Sequence, residues 1–166
     1  IKPVGGMEIR NGDELLFTGI AHDNEGFREL NAYMSAINLE EKAYTPPEFN
    51  RVTLIYPFGK KLARRLKENE FIGVKPSHVR KLVSLSPRDY SRMVIRQPVS
   101  FADEKSYYLH KNLRAIDHNL LLSHLKPEMY GTSDQLFLTT DQIVQAFESY
   151  PQIIENTEKL IRDSTI

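Results

Sequence analysis

Short apolar runs of strand length alternate with segments of helical periodicity along this chain. Asn11-Gly12 stands between two of these runs, and this dipeptide favours the positive backbone angles of a tight hairpin turn. The run RVTLIYP, which begins at Arg51, is rich in β-branched residues. We therefore predict strands near residues 7–10, 15–21, 51–56, 71–74 and 93–96. Alternation of such strands with helices favours an α/β architecture.

Helices are predicted between the strands. After Asp23, apolar residues recur at steps of three and four, which places them on one helical face: Phe27, Leu30, Met34 and Ile37. KKLARRLKE, residues 60–68, predicts a short basic helix, and PSHVRKLVS predicts a helix that begins near Ser77. Ser86-Pro87 offers an N-cap followed by proline at the first helical position. A longer helix is predicted from Asp103 to about Asp117, with a buried stripe of Tyr108 or Leu109, Leu113 and Ile116.

The closing stretch, residues 139–163, predicts two short helices separated by a corner. Thr139 and Gln142 have the spacing of a capping box, in which each side chain bonds the backbone N–H of the other. Pro151 can begin a helix because the first turn does not use the donor it lacks, and it disfavours helix at Tyr150. We expect a structural clasp formed by Phe147, Ile153, Ile154, Leu160 and Ile161.

Composition restricts the class of protein. With 166 residues, the chain has the size of one domain or part of one. Its 22 basic and 22 acidic residues cancel, so any contact with a polyanion must be local. The chain has no cysteine, which removes disulfides and thiolate zinc sites. No apolar run reaches the roughly 20 residues of a membrane span and no signal-peptide pattern opens the chain, so we expect a soluble, cytoplasmic protein without a membrane partner.

No sequence-local catalytic or metal motif stands out. The five histidines never fall at H-x-H or H-E-x-x-H spacing: His22, His78, His110, His118 and His124. No phosphate-loop or nucleophile-elbow pattern occurs. A basic cluster could meet a phosphate backbone, although we favour a solvated helix face balanced by Glu68 and Glu70. This cluster comprises Lys60, Lys61, Arg64, Arg65, Lys67, Arg80, Lys81 and Arg88.

Four stretches, spread between residues 1 and 161, occur in the same order as in one known family, and the resemblance spans essentially the whole chain. LTTDQIVQAFESYPQIIENTEKLI resembles the pattern F…YPEAI.NT..IA near the end of the PHP (polymerase and histidinol phosphatase) domain in the alpha subunits of bacterial DNA polymerase III. IKPVGGMEI is similar to the family's Lys-Pro-x-x-Gly-x-Glu strand, and GIAHDNEGFRELNAYMS to its strand and helix LLAKNEEGYRNL. MVIRQPVSFADEKSYYLHKNLRAI resembles the region LVATNDVHYLRREDARLHDVLLAI.

The resemblance implies an α/β fold that forms part of the distorted (β/α) barrel of a PHP domain. Residues 1–166 would be a single partial PHP domain that lacks the N-terminal metal-motif strands and the downstream polymerase domains. The full-length protein would be a DNA-directed DNA polymerase, a nucleotidyltransferase of DNA replication in the cytoplasm, whereas this fragment alone would be inactive. The implied partners are the remainder of the alpha subunit and, in the full-length protein, a proofreading exonuclease subunit and DNA.

The family's metal site is incomplete in this sequence. Glu8 falls where PHP proteins place a metal-binding glutamate, but the Asn-Asp-x-His motif is replaced by residues 97–100, with Ser100 in place of the histidine. A serine hydroxyl is a poor substitute for imidazole on zinc. In FIGVKPS, similar to another metal-ligand strand, no histidine occurs before His78. We expect no catalytic residue, cofactor or metal here; Glu8 is a vestigial candidate or simply an exposed strand residue beside a hairpin turn.

These observations leave three hypotheses about function. The preferred one is a non-catalytic scaffold segment of a replicative polymerase alpha subunit. The alternative is an active PHP-type metal-dependent phosphoesterase or 3′ exonuclease domain, in which Glu8 acts with ligands from the missing N-terminal part; serine at position 100 argues against it. The third is a stand-alone binding module that uses the basic cluster.

Overall fold

The computed structural model describes residues 2–40 and 45–165. The chain forms two compact units, one of residues 1–95 with 147–166 and the other of residues 96–146. No helix in the described part of the chain is both long enough and apolar enough to span a membrane.

The first unit contains a mixed sheet of five strands in the order β1-β2-β3-β4-β5. β1 and β2 pair antiparallel, as do β2 and β3, whereas β3, β4 and β5 are parallel. Within the described residues β1 and β5 are the two edges, so the sheet is open. All five strand predictions are confirmed, as is the α/β class. The strands are β1 (Gly6–Asn11), β2 (Glu14–Ala21), β3 (Val52–Pro57), β4 (Glu70–Val74) and β5 (Met93–Ile95).

The predicted hairpin joins β1 and β2. Asn11 pairs with Glu14 at the end of the ladder, and Gly12 has φ of 57°, a conformation that glycine adopts without a Cβ penalty. The Asn-Gly dipeptide therefore forms the turn that its backbone preference predicts.

Helix α1 (Asn24–Glu40) covers one face of the sheet. Leu30 and Ile37 are buried there and Met34 is half-buried, as predicted, but Phe27 is 39% exposed. Gly26 explains this difference because a Cβ at that position would lie 2.0 Å from the carbonyl oxygen of Arg51. The helix approaches the sheet through Gly26, and the next residue is rotated by about 100° away from that contact.

The predicted basic helix of residues 60–68 is wrong, because this segment is irregular. Leu62 and Leu66 are half-buried against the core at the spacing that suggested a helix. Arg64 and the backbone N–H of Lys67 both bond the side chain of Glu70, the first residue of β4. These bonds to the buried carboxylate of Glu70 give the donors of Arg64 and Lys67 an acceptor, so the segment needs no helical hydrogen bonds.

Two short helices precede β5. The helix predicted near Ser77 is a 3₁₀ helix, Pro76–Ser84, and α2 covers Pro87–Tyr90. Ser86 is the N-cap of α2 and Pro87 its first residue, as predicted, and Oδ2 of Asp89 accepts from both the backbone N and Oγ of Ser86 at 2.9 Å.

In the second unit, α3 (Glu104–Asp117) begins where it was predicted, with Asp103 Oδ1 accepting from the backbone N of Ser106 at 2.7 Å. Its predicted buried stripe is wrong: all four of these side chains are more than half exposed, Tyr108, Leu109, Leu113 and Ile116. The opposite face of α3 is the one that contacts the rest of the second unit, because its polar side chains form hydrogen bonds with the backbone of loop residues. Arg114 Nε donates to the carbonyl of Met129 at 2.8 Å, and His110 Nε2 accepts from Gly131 N at 3.1 Å.

The closing stretch forms α4 (Thr140–Ala146) in the second unit and α5 (Pro151–Asp163) in the first. The capping box is confirmed: Thr139 N donates to Gln142 Oε1 at 2.9 Å and Gln142 N donates to Thr139 Oγ1 at 3.2 Å. The apolar residues differ in burial. Phe147 and Ile153 are fully buried and Ile154 and Leu160 are half-buried, but Ile161 is 43% exposed, contrary to the clasp prediction.

Candidate functional site

Glu8 lies on β1, on the opposite face of the sheet from its buried neighbour Ile9. Its side chain is 39% exposed, and its Oε2 accepts from Nε and NH2 of Arg10 at 3.1 and 2.8 Å. Thr18 is its cross-strand partner. This carboxylate therefore lies on an open strand surface, already neutralised by a guanidinium on the same strand.

Ser100 belongs to the second unit, where it has a structural role. Its Oγ donates to Gln135 Oε1 at 2.7 Å and its backbone N donates to the carbonyl of Gln135 at 2.8 Å. Gln97 Nε2 donates to the carbonyls of Asp134 and Leu136 at 3.1 and 2.9 Å. Residues 97–100, which the resemblance sets in the place of an Asn-Asp-x-His motif, thus bond backbone and side chain of residues 134–136.

The histidines are dispersed. His22 Nε2 lies 2.8 Å from Thr53 Oγ1, the ring of His78 is 5.7 Å from that of Phe58, and His118 caps the end of α3. Within residues 2–40 and 45–165, no group of three or more histidine, aspartate or glutamate residues could hold a metal ion.

A polar cavity of 690 Å³ lies in the first unit beside His22 and Thr53. Several of its side chains are already bonded to protein atoms. Arg92 donates to the carbonyl of Glu68 at 2.5 Å and lies 5.7 Å from the ring centroid of Phe71. Asn156, from α5, donates to main-chain carbonyls of residues 90–93. Arg92 and Asn156 are therefore engaged in structural contacts where they line the cavity. No sequence motif or spacing predicted this cavity.

Glu70 forms a buried charged network that the sequence interpretation missed. Predicted to balance a solvated helix face, it is 1% exposed in β4. Its oxygens accept from NH1 and NH2 of Arg64 at 2.7 and 2.5 Å, from Lys67 N at 2.7 Å and from Tyr56 Oη at 3.3 Å. Burial alone would raise the pKa of Glu70, but the bonds from Arg64 and Lys67 outweigh it and hold that pKa below its usual value.

The same network perturbs its other members. Burial, followed by the charge of Glu70, raises the pKa of Tyr56 to about 12. The hydrogen bonds to Glu70 raise the pKa of Arg64 above its usual value. Arg64 and Glu70 thus form a buried ion pair to which Tyr56 adds a hydrogen bond.

The basic cluster divides into paired and unpaired cations. Lys60 and Lys67 pair with Glu14 and Glu48 at 3.2 and 2.5 Å, and Arg64 pairs with Glu70. The side chains of Lys61, Arg65, Arg80, Lys81 and Arg88 form no ion pair with any residue that the structure describes. Because residues 60–68 are irregular, Lys61 and Arg65 do not lie on the solvated helix face that was expected.

No protein-family model matches the chain, and no curated protein sequence matches it at a significant level. The arguments for function therefore rest on the chain's own residues and on the resemblance that these residues carry.

Proposed function

We propose that this chain is a segment of a PHP-type domain in the alpha subunit of a bacterial DNA polymerase III, and that it acts there as a structural scaffold. The proposal includes a place for the open five-stranded sheet in a distorted (β/α) barrel and, in the full-length protein, DNA-directed DNA polymerase activity in the cytoplasm. The remainder of the alpha subunit, a proofreading exonuclease subunit and DNA would be its partners.

The observation that carries this proposal is the role of Asn156 and Thr157, which occupy the NT positions of the pattern that suggested the family. Thr157 Oγ1 accepts from the backbone N of Ile95 in β5 at 2.8 Å. Asn156 Nδ2 donates to the carbonyls of Tyr90 and Met93 at 3.0 and 2.9 Å. This dipeptide joins α5 to an edge strand, which is a scaffolding role and supports the preferred hypothesis.

The resembling pattern also includes Tyr150-Pro151. The ring of Tyr150 packs edge-on against Tyr90 with 5.2 Å between centroids, and Tyr90 Oη donates to the carbonyls of Leu82 and Leu85 at 3.1 and 3.2 Å. The start of α5 is thereby tied to the end of the 3₁₀ helix and to α2. Tyr150, Asn156 and Thr157 of this pattern all serve packing or backbone hydrogen bonding, which favours a scaffold over a phosphoesterase.

Two measurements test the proposal. The coding sequence on either side of this chain is expected to continue into metal-motif strands upstream and a polymerase palm downstream; a different neighbouring domain overturns the family assignment. Calorimetric titration with Zn²⁺ or Mn²⁺ is expected to give equally weak uptake by the native chain, Glu8→Ala and the control Glu148→Ala, which alters an exposed glutamate on the same unit. Tight stoichiometric uptake that Glu8→Ala alone abolishes would support a phosphoesterase instead.

A further inference from the structure

A second cavity of the first unit, of 560 Å³, combines an apolar lining with a concentration of positive charge. We call it the basic groove. Its apolar lining includes Leu66, Ile72, Leu85 and Met93. Its charged lining consists of four cations, Lys60, Arg65, Arg88 and Arg92, and one carboxylate, Asp89.

The single carboxylate of the basic groove is already committed as an acceptor. Asp89 Oδ2 accepts from both N and Oγ of Ser86, the N-cap of α2. These neutral donors leave the charge of Asp89 in place, so the lining carries four positive charges against one negative and stays predominantly positive. A concave surface lined by one sign of charge over low-dielectric walls concentrates the potential and attracts ions of the opposite sign.

Two of the four cations are available for a ligand. Lys60 pairs with Glu14, and Arg92 is held by the carbonyl of Glu68 and the ring of Phe71. Arg65 and Arg88 are exposed, and within the described residues their side chains have no ion-pair or hydrogen-bond partner. They come from different segments, one from the irregular connection before β4 and the other from α2, so the fold rather than sequence proximity places both at one cavity.

We propose that the basic groove binds an organic phosphate, with Arg65 and Arg88 on the phosphate and the apolar lining against the body of the ligand. The planar guanidinium group presents paired N–H donors that match phosphate oxygens, and such charge-assisted bonds are stronger than neutral ones. Leu66, Leu85 and Met93 give the site an apolar surface that inorganic phosphate would leave uncovered. A mononucleotide has the required chemistry, either free or as the phosphorylated end of a single strand.

The scaffold contacts use Leu85 and Met93 only through their main-chain carbonyls and do not include Arg65 or Arg88, so each proposal can fail without the other. The test is a two-dimensional NMR titration of the whole chain with inorganic phosphate, thymidine monophosphate, and an oligothymidylate with or without a 5′ phosphate. Saturable shifts are expected at Gly59, Leu85 and Asp89 with thymidine monophosphate, and weaker ones with inorganic phosphate. A stronger response to the 5′-phosphorylated strand than to the monophosphate identifies the strand end as the source of the ligand; the reverse identifies the free nucleotide.

Two double variants distinguish binding by the basic groove from a general effect of the protein's net charge. Arg65→Gln/Arg88→Gln is expected to weaken binding of thymidine monophosphate by about tenfold or more, because it removes the charge-assisted bonds. Arg80→Gln/Arg162→Gln removes the same charge at exposed positions outside the groove and is expected to change binding by less than about twofold, as screening of distant exposed charges implies. Absence of saturable shifts with every probe, equal binding of the unphosphorylated strand, or equal loss in both variants overturns the proposal.

Discussion

The backbone N–H of Ile95 donates a 2.8 Å hydrogen bond to Oγ1 of Thr157, 62 residues further along the chain. Ile95 ends β5, an edge of the sheet within the described residues, where a ladder partner is present on one side only. The same hydroxyl donates to the carbonyl of Ile153 at 2.7 Å, one turn earlier in α5. The Thr157 hydroxyl therefore accepts from a backbone N–H of β5 and donates to a carbonyl of its own helix, which fixes its orientation. In this way α5 provides a hydrogen-bond acceptor for a strand at the edge of the sheet.

Replacing this hydroxyl is expected to destabilise the first unit. Thr157→Val keeps the shape of the side chain but leaves the N–H of Ile95 without an acceptor, at a cost of about 1–3 kcal/mol in the free energy of unfolding. Thr157→Ser retains the oxygen and is the control, with a smaller loss expected. Urea denaturation monitored by circular dichroism measures both; equal stability of Thr157→Val and the native chain would contradict a structural role for this bond.

Acid is expected to weaken the buried network around Glu70. Because the pKa of Glu70 is lower in the folded protein than in the unfolded chain, its stabilisation is fully present above the unfolded value of about 4.3. That stabilisation is lost as the pH falls through the lower, folded value. Urea denaturation from pH 7 to pH 3 is expected to show a decline below about pH 4.3.

Glu70→Gln identifies the group responsible for that decline. The variant is expected to lose about 1–3 kcal/mol at pH 7, because the amide NH₂ group faces donors from Arg64 and Lys67. Its stability is also expected to decline less between pH 5 and pH 3 than that of the native chain. Glu68→Gln, at an exposed neighbouring position, is the control. A native-like acid profile for Glu70→Gln would show that another carboxylate controls the acid response.

The sequence was sufficient to predict elements whose signals are local. The hairpin at Asn11-Gly12, the capping box at Thr139 and the proline start of α5 depend on neighbouring residues only, and all three were confirmed. The basic segment was mispredicted because its irregular conformation depends on Arg64 reaching Glu70, and nothing in the sequence identified Glu70 as buried. Periodicity likewise could not distinguish the two faces of α3.

Neither the NT dipeptide nor the basic groove could be derived from periodicity. Asn156 bonds carbonyls more than sixty residues earlier, and Arg65 and Arg88 meet at one cavity only through the packing of the sheet connections. Long-range polar contacts of this kind require the register of the whole sheet. The resemblance to the PHP family singled out the NT positions without explaining them, and the structure supplies the bonds that they make.

The outer face of α3 is expected to tolerate polar substitution. Ile116 is 74% exposed and Leu113 is also more than half exposed, so Leu113→Gln/Ile116→Gln is expected to change the free energy of unfolding by less than about 0.5 kcal/mol per site. Ala115, between them, is buried, and Ala115→Leu is expected to cost about 1–3 kcal/mol through overpacking. Thermal denaturation compares the two variants. A larger loss for the polar double variant would mean that these side chains are packed in solution.

Alanine substitutions in α5 and at Phe147 before it are expected to lower the free energy of unfolding by amounts that follow the burial of each side chain rather than its hydrophobicity. Phe147 and Ile153 are fully buried, so Phe147→Ala and Ile153→Ala are each expected to cost about 2–5 kcal/mol, a large fraction of the stability of a domain. Ile161 has the same side chain as Ile153 but is 43% exposed, and Ile161→Ala is expected to cost clearly less. Ile153→Ala and Ile161→Ala delete the same atoms, so a difference between their free energies of unfolding reflects burial and not residue type.

The same series distinguishes a clasp from a functional surface. In the full-length polymerase that we propose, Phe147→Ala and Ile153→Ala are expected to reduce the yield of folded protein while specific activity per folded molecule stays close to native, because both side chains are buried away from any ligand. Melting temperature and nucleotide addition are measured on the same preparations, with Ile161→Ala as the control for exposure. A variant that melts normally but has lost nucleotide addition would place a DNA or partner contact at this corner and exclude a purely structural role.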